Sequence, residues 1–395
     1  MSSIGVSAVQ VVANAAQRVV EVAWPDAAEH RYHYVWLRHH ARCSDGMPND
    51  TRVKIDLLPD DPASLVVDAC HVDGEDLVID WRDGGLQTRH NLAALRRSAY
   101  DAEARRLRKH RPRLWERDSA SDIPVFEFAS IQGDEAELLR LMLALRDFGL
   151  ARISGVPTVP GSLKQVATAF GPIHVNNYGG VFDVRSDANL NLGSNTGHYL
   201  PPHTDESYRH DAPGISFFHC LRAAPEGGAS TLVDGFMAAK RLRERDAASY
   251  ELLSSVPVFF QRYAPPDEDM RSHTRMLVTD VDGDLVGCRW TDRTLPPQDL
   301  PADRIEPVYR AIRALWKIIN DETLQFCYRM QPGDLHVFDN HRVLHGRQAF
   351  DPAAGARHLQ QCSVNRDEFH NRLRILAARL GDPASELVMA GGAVG

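Results

Sequence analysis

Short runs of alternating or clustered β-branched residues mark the first hundred positions of this 395-residue chain. Residues 18–24, 65–70 and 77–81 carry the pattern, and the last run ends on the turn Asp83-Gly84-Gly85. Period-two alternation predicts strands. Residues 1–98 therefore read as a small β-rich domain. Residues 99–121 are highly charged and hold a proline, which predicts a linker or an exposed helix.

Beyond them the period changes. Leu138, Leu139, Leu141, Met142 and Leu145 fall at helical spacing within 134–147, and 163–170 predicts a second helix. Residues 148–155 read as a strand closing on a glycine. Strands dominate 213–233, broken at Pro225-Glu-Gly-Gly228. Helices are predicted at 236–254 and 303–320, the second with Ile312, Leu315, Trp316 and Ile319 on one face. Strands follow at 334–339, 343–350 and 357–364. A last helix, 368–380, stops at Gly381 and Pro383. The fold class is mainly β with α insertions, a barrel or jelly roll with helical buttresses. It occupies 122–385, and 386–395 form a tail.

Composition narrows the function classes. Apolar content of 43% and charged content of 25% suit a globular protein. A net charge of −8 argues against nucleic acid as a partner. No apolar run approaches the roughly 20 residues of a membrane span. The first residues lack a basic start followed by an apolar block, so no leader is expected. The six cysteines contain no C-x-x-C pair, which fits free thiols and a cytoplasmic location.

Chemistry concentrates at His203-Thr-Asp205 and, far downstream, His345 and Arg357. Two imidazoles and a carboxylate hold one face of an iron(II) ion and leave the other face open. An arginine grips a carboxylate in bidentate fashion. The triplet alone is weak: with 18 histidines and 53 acids, about two to three H-x-[DE] matches arise by chance. His71-Val-Asp73 is another match, and it reads as an ordinary strand residue. Downstream, a hairpin with its turn at 351–355 would pair Phe350 with Ala356. Its alternation puts His345, Arg347 and Ala349 on one face with Arg357, Leu359, Gln361 and Ser363. His336 and His341 compete with His345 for the second imidazole.

Ordered segments resemble the Fe(II)/2-oxoglutarate dioxygenases of the taurine dioxygenase and γ-butyrobetaine hydroxylase superfamily. They include Tyr34-Val-Trp-Leu-Arg38, Asn177-Tyr-Gly-Gly180, His203-Thr-Asp205, Gly227-Gly228, Pro332-Gly-Asp334, Leu344-His-Gly-Arg347, Arg357-His-Leu359 and Arg372-Leu-Arg374. The resemblance implies a double-stranded β-helix behind a small β-domain. It implies Fe(II) on His203, Asp205 and His345, with 2-oxoglutarate and O2 as co-substrates. Arg357 would hold the distal carboxylate of 2-oxoglutarate, helped by Ser230 or Thr231. The reaction implied is hydroxylation of a small zwitterion (a betaine, amino acid or aminophosphonate), with release of succinate and CO2. Desaturation, cyclisation or cleavage would begin with the same hydrogen abstraction. A non-catalytic binding or sensing barrel is the reading from another class.

Two departures from the family pattern matter. Relatives bind a structural zinc through three cysteines and a histidine. Here Cys43 stands with Ala41 and Gly46, and only His39, His40 or His90 is near enough in sequence to help. A tetrahedral site needs four ligands, so no structural zinc is expected. Relatives also cage a trimethylammonium with aromatic rings. Tyr178 and Phe182 keep part of that wall, whereas Asn191, Ser194, Ser363 and Glu206 line the remaining substrate positions. Glu206 would accept from an ammonium or guanidinium, unless it points to solvent or pairs with Arg209. Arg289 would take the substrate's acidic end. Relatives often form homodimers, for which the helix at 303–320 is the contact surface to consider.

Overall fold

In a computed structural model the described residues are 8–43, 58–185 and 197–386. They fall into two compact units, Met1–Lys109 and His110–Gly395.

The first unit holds a three-stranded antiparallel sheet, Gln10–Asn14, Val19–Ala23 and Glu29–His33. A four-stranded sheet runs in the order Arg42–Cys43, Gln87–Asn91, Asp76–Trp81, Val67–Asp73. Val20, Val22, Leu77, Ile79 and Trp81 fill its core, and Trp81 Nε1 donates to Thr88 Oγ1 at 2.8 Å. Strands Gln10–Asn14 and Glu29–His33 escaped the periodicity because their exposed positions are apolar or polar without clear alternation. Helices Tyr34–His39 and Leu92–Arg97 are too short to show a helical period.

The stretch expected to be a linker divides in two. Helix Ala102–Arg108 is capped by Asp101, which accepts from the Ala104 N–H. Beyond it, Trp115 is buried in the second unit, and its Nε1 donates to the Phe148 carbonyl at 2.8 Å. A buried tryptophan anchored in this way is a packed segment, not an exposed spacer.

Two sheets build the second unit. The larger runs Val181–Arg185, His358–Val364, Ile215–Arg222, Leu335–Asp339, Leu150–Ser154, Val125–Glu127. The smaller runs Leu200–His203, Val343–Arg347, Ser230–Asp234, Phe326–Tyr328. Helix Glu135–Phe148 buries its leucine stripe against the back of the larger sheet, beside Ala151, Ile153, Leu335 and Val337. It ends at Gly149, whose φ of 71° is left-handed. Phe148 thus closes the helix instead of opening the next strand. A Cβ on Gly149 would meet the Arg342 side chain at 2.6 Å. Arg342 is itself fixed by the buried Asp234 carboxylate at 2.9 Å.

The predicted hairpin does not form. Val343–Arg347 pairs with Leu200–His203 and Ser230–Asp234 in the smaller sheet. His358–Val364 pairs with Val181–Arg185 and Ile215–Arg222 in the larger one. The connection crosses between sheets, drawn away by backbone bonds from Phe350 to Gly197 and from Gly228 to Ala349. The helix expected at 236–254 is two, Gly235–Arg245 and Ala247–Ser255. Asp246 breaks it, because its side chain accepts from the Ser249 N–H and starts the second helix. The helix predicted at 303–320 spans Ala302–Ile319, and the last one spans Arg366–Arg379. Among the described residues no helix is long and apolar enough to cross a membrane.

Candidate active site

Register explains which side chains meet. In the smaller sheet, Leu200, Arg347, Ser230 and Tyr328 are cross-strand partners in one row. His203, His345, Leu232 and Phe326 form the next matching row. In the larger sheet, Phe182, Gln361, Phe218, His336 and Arg152 make one row across five strands. Paired residues point to the same face. Members of all three rows line a cavity of about 510 Å³.

His203, Asp205 and His345 each offer a ligand atom, and these atoms lie within 4.8 Å of one another. Asp205 Oδ1 is 3.5 Å from His203 Nε2 and 3.4 Å from His345 Nε2. His203 Nδ1 lies 2.9 Å from the Pro201 carbonyl. A carbonyl accepts only, so Nδ1 carries the proton and Nε2 keeps its lone pair for a metal. Burial works against the Asp205 charge, yet His345 and His203 hold its carboxyl well below the usual range. Burial pushes the His203 imidazole down, and His345 adds to that. A carboxylate flanked by two imidazoles is the donor set that divalent iron takes with open positions, so these residues fit it.

Asn340 fixes the backbone beneath. Its Oδ1 accepts from the Asp205 N–H at 2.7 Å, and its Nδ2 donates to the Asp205 and Pro213 carbonyls at 3.1 and 3.0 Å. Gln361 Nε2 donates to Asp205 Oδ2 at 2.8 Å. No sequence motif marks either amide, since both contacts span more than a hundred positions. His336 also lines the cavity but stands apart from the cluster, while His341 Nε2 faces the Ala212 carbonyl. His71 is exposed in the first unit.

Arg357 reaches the cavity from the crossing connection. Burial, with the neighbouring Arg347 cation, pushes its guanidinium down to about 10, still charged at neutral pH. Ser230 lines the cavity; Thr231 faces the other way, with Oγ1 accepting from Gln348 Nε2 at 3.2 Å.

Tyr178, Phe182, Tyr208, Glu206, Arg262 and Arg293 also line the cavity. The Tyr178 and Phe182 rings are 6.2 Å apart, and the Arg209 and Arg262 guanidinium carbons each lie 5.9 Å from the Tyr178 centroid. Glu206 lines the cavity and pairs with Arg209, the partner its sequence position allowed. Burial pushes its carboxyl up against the pull of Arg209. Arg289 does not line the cavity; it donates to the Arg209 and His210 carbonyls at 2.7 and 2.9 Å. Arg293, four residues on, is the arginine of that segment at the cavity wall. Ser363 is buried on its strand outside the lining. Asn191 and Ser194 lie outside the described residues, as do Gly46 and the Cys43 side chain. His90 is buried against Thr88 at 3.3 Å.

Residues 108–363 match the family described as taurine catabolism dioxygenase TauD, TfdA. Residues 11–96 match the γ-butyrobetaine hydroxylase-like N-terminal family. The chain is 38% identical over 365 residues to the γ-butyrobetaine dioxygenase of Pseudomonas sp. (strain AK-1), covering 90% of this chain and 93% of that protein. It is 26% identical over 369 residues to the γ-butyrobetaine dioxygenase of Homo sapiens, covering 92% and 95%. Among solved structures, AAD-2 in complex with Mn(II) and N-oxalylglycine shares the fold at a TM-score of 0.50 and 15% identity, over 59% of this chain and 89% of that one. The chain therefore belongs to the TauD/TfdA family and is an iron(II)- and 2-oxoglutarate-dependent dioxygenase.

Proposed function

We propose that this dioxygenase hydroxylates a small zwitterionic metabolite held between an acidic and a basic end of one cavity, within a double-stranded β-helix. The observation that carries the reading is the convergence of His203, Asp205, His345 and Arg357 on that cavity from separate strands and a crossing connection. His203, Asp205 and His345 would hold iron(II). Arg357 would bind the distal carboxylate of 2-oxoglutarate, with Ser230 beside it. Bound there, the metal and co-substrate supply with O2 the oxidant for an unactivated C–H bond, and succinate and CO2 leave. The surrounding protein orients the substrate and excludes water.

Charge along the cavity wall supports the substrate class. Glu206 offers a carboxylate near Tyr178 and Phe182 for a positive group, and Arg293 offers a cation for an acid group. Relatives act on γ-butyrobetaine, by their names. In this chain two guanidinium groups already approach the Tyr178 ring. That favours an ammonium able to donate hydrogen bonds over a fully methylated one. We assign residues 1–98 as the small domain, 99–121 as its connection and 122–385 as the catalytic domain.

The test is aerobic incubation with Fe(II), 2-oxoglutarate and a panel of betaines, amino acids and aminophosphonates, with succinate as the readout. A substrate should raise succinate well above the level of His203→Ala. If no candidate does so, the zwitterionic substrate class falls.

A further inference from the structure

Gln361 stands between the candidate iron site and the substrate end of the cavity. Its strand, His358–Val364, lies between Val181–Arg185 and Ile215–Arg222. Phe182 and Phe218 are its direct cross-strand partners, and all three line the cavity. Gln361 is therefore buried between two rings, which limits its rotamers.

Among the described residues its side chain hydrogen-bonds to Asp205. The 2.8 Å bond runs from Nε2 to Oδ2. An ionised carboxylate only accepts, so the amide nitrogen must be the atom that faces it. The other carboxylate oxygen, Oδ1, is the one between the two imidazoles. Asp205 is thus held twice, at its backbone by the Asn340 amide and at its side chain by the Gln361 amide.

We propose that Gln361 is a positioning residue that keeps Asp205 on iron through one oxygen. With Oδ2 occupied by an N–H, the carboxylate is not free to rotate and present both oxygens to the metal. Single-oxygen ligation preserves the three open positions that a chelating 2-oxo acid and O2 require. The inference rests on His203, Asp205 and His345 being the iron ligands.

The experiment is anaerobic titration of the full chain with Fe(II) in the presence of 2-oxoglutarate. It follows the visible metal-to-ligand charge-transfer band and the rise in melting temperature on metal addition. Gln361→Met keeps the length and loses the donor; Gln361→Leu is a second variant that loses the donor with a shorter, branched side chain. The metal-free melting temperature of each shows that the fold is intact, and a variant that fails this check yields to the other. The expected result is Fe(II) affinity about 10- to 100-fold weaker, as for other groups that orient a metal ligand, with a shifted band. Wild-type affinity within about twofold and an unshifted band in a folded variant would overturn the role of Gln361 alone. If the wild-type chain shows no band and His203→Ala binds the metal equally well, the iron site itself falls, and the proposal with it.

Discussion

His203 and His345 are direct cross-strand partners on adjacent antiparallel strands, with ring centroids 4.5 Å apart. Sheet register therefore sets their spacing, and Asp205 completes the set just beyond the end of the first strand. A site built on paired strands is largely preorganised before metal arrives. His345→Ala should fold but lose the rise in melting temperature that Fe(II) gives the wild-type chain, and should form no succinate. Differential scanning fluorimetry with and without Fe(II) checks this. A metal-dependent rise of wild-type size in the variant would exclude His345 as a ligand.

Arg357 and Arg347 put two guanidinium groups against one cavity wall. Burial, and then Arg347, depress the Arg357 pKa, so a dianionic co-substrate relieves an unfavourable field. Arg357→Met should weaken 2-oxoglutarate binding by roughly 30-fold or more, as expected when a buried charge pair worth about 2–5 kcal/mol loses one partner. Isothermal titration with Mn(II)-loaded protein measures it. Metal affinity measured without 2-oxoglutarate should stay near wild type, since Arg357 is no ligand.

Much of the second unit is legible in sequence where a pattern is local. The leucine stripe of Glu135–Phe148 and the alternation around His345 both point to the elements that form. The face shared by His345 and Arg357 was inferred from a hairpin, yet their shared cavity arises between opposed sheets. The error lies in the pairing partner, which alternation alone does not specify. Arg289 and Arg293 show the same limit. Both are cationic and four residues apart, and only the backbone carbonyls of Arg209 and His210 reveal that the first is tied up in the fold. The contact from Gln361 to Asp205 spans 156 positions and carries no motif.

Acid should destabilise the second unit through its buried histidines. Burial pushes His370 down to about 3, His336 to about 3 and His341 to about 4. A free histidine titrates near 6.5. Below that pH the unfolded chain binds protons that the folded chain refuses, so the stabilising contribution is full above about 6.5 and lost progressively toward about 3. Each histidine contributes a slope of up to about 1.4 kcal/mol per pH unit. Urea unfolding at pH 7.5, 6.0 and 5.0 should show stability falling. His370→Gln, which stays neutral, should flatten the dependence by about one histidine's share. Identical slopes in both proteins would remove His370 from the account.

Glu206 carries the substrate question. It has a left-handed backbone (φ 52°), unusual for a side chain of its size, directly after the candidate ligand Asp205. That turn presents the carboxylate to the cavity while Arg209 and Asn176 hold it. Burial raises its pKa and Arg209 opposes the rise, so a second cation from a substrate would further favour the ionised form. Glu206→Gln keeps the shape and removes the charge. With a primary or secondary ammonium substrate, KM should rise about 10-fold or more, since a charge-assisted bond worth about 1.5–3 kcal/mol is lost. The Kd for 2-oxoglutarate should not change, because that end of the cavity is bounded by Arg357. A trimethylated substrate, which donates no hydrogen bond, should lose less. If KM for the N–H donor is unaffected, Glu206 serves only to brace Arg209, and the positive end of the substrate lies elsewhere along the Tyr178 wall.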